Sequence, residues 1–144
     1  MVGDYAGKEL FLLEGDSLLL HCFNDSRLDL TDGFQLLHAV YTVEHFLLGL
    51  SQRHCNFHIV FFDTHRNLCI PQGVPNMKHS RYILARSVIR RHLHVNLAKS
   101  HPSIRVESFR SPQDHAFQIY CKMQSLLQAR IDYSFQSFVA KPAP

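Results

Sequence analysis

Two short apolar segments that close on an acid constrain this chain more than anything else in it. Phe11-Leu12-Leu13 runs into Glu14-Gly15-Asp16, and His58-Ile59-Val60-Phe61-Phe62 runs into Asp63. Runs this short suit buried strands better than helices. A strand that ends on a carboxylate in apolar company must set that charge against a partner, a metal or water. The interval between the two leaves room for a helical crossover, so the pattern predicts parallel strands.

The rest of the chain fits the same scheme. After a break at Gly15-Asp16-Ser17, residues 17–23 can open a helix. Thr31 or Asp32 is a suitable N-cap for a helix over 34–53, because its side-chain oxygen accepts an orphan helix N–H. That helix carries two apolar stripes, one with Phe34, Leu37 and Tyr41 and one with Leu36, Val40, Val43, Leu47 and Leu50, which predicts burial on two sides. A loop over 71–75 precedes a helix from His79 or Ser80 through Leu93, and residues 104–109 read as a third strand. The order β-α-β-α-β predicts an α/β fold with helices around a parallel sheet, the first strand in its middle. Residues 114–128 read as a helix with Ala116, Ile119, Met123 and Leu126 on one side. Residues 131–140 suit either a strand or irregular structure.

With 144 residues, 46% hydrophobic and 19% charged, the chain can bury a sizeable core and is not of the disordered class. One domain over 1–140 with a frayed tail at 141–144 is expected. No apolar run approaches the ~18–20 residues of a membrane span, and the first residues carry no signal-peptide pattern. The expectation is a soluble, cytoplasmic protein. The four cysteines, at 22, 55, 69 and 121, form no C-x-x-C and read as reduced thiols. Eleven histidines raise the question of a zinc site. However, Cys55 and His58 straddle a strand start, and His92 and His94 diverge on a helix.

In an open parallel sheet, ligands bind at the carboxyl ends of the strands. Asp16 and Asp63 both fall there and would share a crevice. Two clustered carboxylates repel unless a proton or cation lies between them. Magnesium fits, since it accepts few protein oxygens and keeps its waters, and a metal-bound water can attack a phosphodiester. The alternative is that each aspartate merely caps a helix or turn. The span from Lys78 to Arg110 holds eight Lys and Arg against the single acid Glu107. Arg81, Arg86, Arg90 and Arg91 share one predicted helix, which suits an anionic partner. Dinucleotide-binding, P-loop and nucleophile-elbow motifs are absent.

The segments ELFLLEGDSLLLH, DLTDGFQLLHAVYTVEHFL, CNFHIVFFDTHRNLCIP and RYILARSVIRRHLHVNL resemble the N-terminal region of the large superkiller-type DExD/H-box RNA helicases of antiviral innate immunity. The resemblance spans about residues 5–110. It implies a PIN-like three-layer fold with a mainly parallel sheet, as in flap-type 5′-nucleases. Asp16 and Asp63 then match the first two strand-end acids of that fold. Active members add acids from a later helix and a fourth strand. Here 118–144 shows no such acidic pair, Asp114 and Asp132 stand alone, and the C-terminal part reads as incomplete. The helicase motor motifs are absent, so the chain has no ATP site and reads as a degenerate nuclease module of a longer helicase, or a remnant of one.

Three functions follow as expectations. The first is an accessory domain that binds RNA or a partner protein, through Arg81, Arg86, Arg90 and Arg91, without cutting. The second is a magnesium-dependent nuclease using Asp16 and Asp63. The third is an α/β interaction domain with no nucleic-acid role.

Overall fold

The computed structural model describes residues 10–25, 28, 30, 35–53 and 56–125, together with the backbone of 126–127 and 131–132. In chain order the elements are β1 (Leu10–Glu14), α1 (Gly15–Phe23), α2 (Leu36–Gln52), β2 (Asn56–Phe62), α3 (His79–His92), α4 (Ala98–Ser100), β3 (Arg105–Phe109), α5 (His115–Leu127) and β4 (Ile131–Asp132). Tight 3₁₀ turns occupy Asp63–His65 and Asn76–Lys78, and a π turn over Leu93–Leu97 joins α3 to α4. The strands form one parallel sheet in the order β3-β2-β1-β4.

The three expected strands are present and parallel, with one correction to their order. Of those three, β2 is the middle strand, with β3 and β1 on its two edges. Its run from Phe57 to Phe62 is buried throughout, as a strand with neighbours on both sides requires. β1 becomes interior only because Leu10 and Phe11 pair with Ile131 and Asp132 of β4. The remainder of the segment expected over 131–140 lies outside the described residues.

Alternation along the strands makes three layers. Phe11, Leu13, Phe57, Ile59 and Phe61 face α1, α2 and α3 in the larger core. Leu10, Leu12, Val60 and Phe62 face α5 in a smaller core with Phe117, Tyr120 and Cys121. There the Phe62 and Phe117 rings meet edge to face, with centroids 4.9 Å apart. The α/β architecture implied by the resemblance is therefore present.

α2 buries one of its two expected stripes, and α5 turns a different face inward from the one expected. α2 buries Ala39, Val43, Leu47 and Leu50, while Leu37 and Tyr41 are 85% and 64% exposed, so it is covered on one side only. Its expected caps, Thr31 and Asp32, lie outside the described residues. α5 buries Phe117, Tyr120, Cys121 and Gln124. Ala116, Ile119 and Met123 point outward instead. The two aromatic rings remove more apolar surface from water than Ile119 and Met123 would, and they set the rotation of the helix.

Candidate functional site

The break expected after β1 is in fact the first turn of α1. Glu14, the last residue of the strand, is the N-cap of the helix. Its Oε1 accepts the Asp16 backbone N–H at 3.0 Å, and its Oε2 accepts the Ser17 hydroxyl. Two groups that would otherwise be stranded at a buried helix start are thereby satisfied. The abrupt strand-to-helix change depends on Gly15, because a Cβ there would lie 2.5 Å from the buried Phe61 ring.

Asp16 enters the fold one residue later, with no exposed surface. Its two oxygens accept from Arg86 Nε at 2.5 Å and Arg86 Nη2 at 3.2 Å. Arg86 Nη2 also donates to the Phe62 carbonyl at 3.1 Å, and the guanidinium lies over the Phe61 ring at 5.5 Å. One α3 side chain thus ties the carboxyl end of β1 to that of β2. Burial raises the Asp16 carboxyl above its usual range, and the hydrogen bonds and charge of Arg86 pull it back. Glu14 adds to the rise and His65 opposes it.

Asp63 has a different fate. It is exposed and opens the 3₁₀ turn that follows β2. The charges that act on Asp16 are those of Arg86, Glu14 and His65. The expectation that both aspartates are accessible is therefore corrected for Asp16, whose oxygens already face a cation. A magnesium site needs open carboxylate oxygens, and the donor set here does not fit one. Among the described residues, no three His, Cys, Asp or Glu side chains gather as a metal-holding group. Cys22, Cys69 and Cys121 are free and buried, and Cys55 lies outside the described residues.

The expected basic face of α3 is divided. Arg86 is only 8% exposed and belongs to the buried pair, so it is not a surface contact. Arg90 is half-buried and donates to the Ser108 hydroxyl at 3.2 Å. Arg91 is exposed, and Arg81 is half-buried. Two arginines not singled out in the sequence join Arg90 at the strand ends. Thr64 N–H donates to the Arg110 carbonyl at 3.1 Å, which places the turn carrying exposed Arg66 beside exposed Arg110, two residues beyond Ser108. A basic rim of Arg66, Arg90 and Arg110 thus borders the carboxyl ends of β2 and β3.

The burial of Arg86 had a readable signal. Tyr82, Arg86, Ile89 and Leu93 follow i, i+4, i+7, i+11, so Arg86 sits within the apolar stripe and not opposite it. No comparable signal marks the rim, since it is assembled from three separate segments.

Residues 1–109 match the family model for the PIN-like domain of the ATP-dependent RNA helicase DDX60. The chain belongs to this family. No curated protein and no solved structure matches it. The three-layer α/β fold is thus that of a PIN-like domain. No helix among the described residues is long and apolar enough to cross a membrane.

Proposed function

We propose that this PIN-like domain binds RNA without cutting it, as an accessory module to an RNA helicase of the antiviral type and in the cytoplasm. The observation that carries the reading is the Arg86 guanidinium against Asp16. It supplies inside the fold the positive charge that a nuclease would take from metal ions. A buried ion pair of this geometry is strongly disrupted by removing one partner, so a passing cation has little means of displacing it. Affinity for RNA is supplied by Arg66, Arg90 and Arg110 at the strand ends, through sequence-independent phosphate contacts.

The test is fluorescence anisotropy on single-stranded and duplex RNA at several salt concentrations, with a cleavage assay in magnesium on the same samples. The expected result is binding that weakens as salt rises, a shallower salt dependence in R66Q/R90Q/R110Q, and no cleavage. Cleavage that D63N abolishes would establish the nuclease reading instead. Equal RNA affinity in wild type and triple variant would leave a protein-binding module.

A further inference from the structure

α3 carries two seams of the same spacing. The inner one, Tyr82, Arg86, Ile89 and Leu93, is buried, and its single cation is taken up by Asp16. The outer one is Leu84, Val88, Arg91 and Val95, again at i, i+4, i+7 and i+11. Leu84, Val88 and Val95 are 51%, 36% and 50% exposed. The π turn continues the outer line, because Leu93 and Leu97 on either side of Val95 both point into the core. Helices pack along one another with this spacing. A surface line of apolar side chains, rimmed by polar ones, marks a contact for another molecule.

The charge of the outer seam has one sign. The chain from Thr64 to Val106 contains no Asp or Glu. α3 meets α2 through His92 and reaches β3 through Arg90, and the carboxylate on each of those elements is already engaged. Glu44 of α2 holds His92 at 2.6 Å, and Glu107 of β3 holds Arg105 at 2.8 Å. Arg91 is exposed, and among the described residues its guanidinium has no ion pair or hydrogen bond. The inner seam meets its arginine with a carboxylate from the fold; the outer seam has none. A helix with apolar residues at the same spacing and an acid opposite Arg91 supplies both contacts. RNA fits worse, because these aliphatic side chains offer its bases no ring to stack on. A second copy fits worse too, since a cationic seam would face another of the same sign.

We propose that the outer seam of α3 docks an acidic amphipathic helix of a protein partner. The probe is a lactam-stapled helical peptide with Leu at i, i+4, i+7 and i+11 and Glu at the flanking positions, titrated into the ¹⁵N-labelled chain by NMR. Saturable shifts at Leu84, Val88, Arg91 and Val95 are expected, with none from a peptide of the same composition in shuffled order. L84Q/V88Q should weaken binding about tenfold, and R91E about fivefold. A peptide with Lys for Glu should prefer R91E to wild type, a reversal that a loss of stability cannot produce. R66Q/R90Q/R110Q should keep the acidic peptide, which separates this site from the RNA reading. No saturable shift at the seam, equal shifts with the shuffled peptide, or no reversal in R91E would overturn the proposal. So would shifts of these four residues with single-stranded RNA or phosphatidylserine vesicles in place of the peptide.

Discussion

Arg86 grips Asp16 with two of its nitrogens, at 2.5 and 3.2 Å, across 70 positions of sequence. The contact joins α3 to the point where β1 turns into α1, and its third hydrogen bond reaches the end of β2. Removing the arginine leaves a buried carboxylate with no cation. Arg86→Met is therefore expected to destabilise the domain by about 3–5 kcal/mol at neutral pH. Asp16→Asn in the same chain should restore part of that loss, because the double variant buries no charge. Urea unfolding of the three variants measures the coupling.

The pH dependence of that variant has a definite sign. The Asp16 carboxyl titrates above its ordinary value of 3.8 in the fold, and Arg86 is what restrains the rise. Between the unfolded and folded values the native state holds a proton that the unfolded chain has released, so stability falls as pH rises through that window. In Arg86→Met the window reaches further up. The variant should be closest to wild type in mild acid and fall behind as pH rises toward neutral, by urea midpoints across pH.

His58 gives the opposite sign. It is buried on the α5 face, shares a hydrogen bond with the Tyr120 hydroxyl, and titrates down at about 4, first because of burial and then because of Arg105. The unfolded chain takes up a proton near 6.5 that the native state refuses. The stability is complete above that value and is lost progressively as pH falls toward 4. The full loss from this group is about 3 kcal/mol, because a tenfold difference in proton affinity is worth about 1.36 kcal/mol. Thermal unfolding from pH 7.5 to 4.5 should show it, and His58→Phe should flatten the profile while lowering Tm at pH 7.5 by leaving the Tyr120 hydroxyl unpaired.

Gly15 is expected to tolerate no side chain. Gly15→Ala places a methyl against the Phe61 ring, which is itself enclosed in the core, at an overpacking cost of about 1–3 kcal/mol. In a Phe61→Leu background the same substitution should cost less. A double-mutant cycle by denaturant unfolding reads the difference.

The thiols of Cys22 and Cys69 should be inert in the native state. Burial is the main reason each is pushed up to about 12, and the thiolate is the reactive form. A chromogenic disulfide reagent at pH 7.5 is expected to label neither until the protein is unfolded in urea, and rapid labelling of either position in native protein would contradict the packing.

β1 and β2 were legible in the sequence because burial on both faces leaves an unbroken apolar run, and the 57–62 run requires nothing beyond its own composition. The family was legible too, through the segments around Asp16 and Asp63. The inward face of α5 was not, nor was the exposure of the second apolar stripe of α2, since each helix carries more apolar positions than the sheet can cover. Leu37 and Ile119 are left outside while Val43 and Phe117 are taken in. The two aspartates show the same division most sharply. Sequence alone marks both as strand-end acids, and their surroundings make one a buried half of an ion pair and the other an exposed turn residue. A carboxylate's role depends on the charge and solvent within a few ångströms of it. For Asp16 that neighbour is Arg86, 70 positions away along the chain, and only the folding of α3 across the ends of β1 and β2 brings it there.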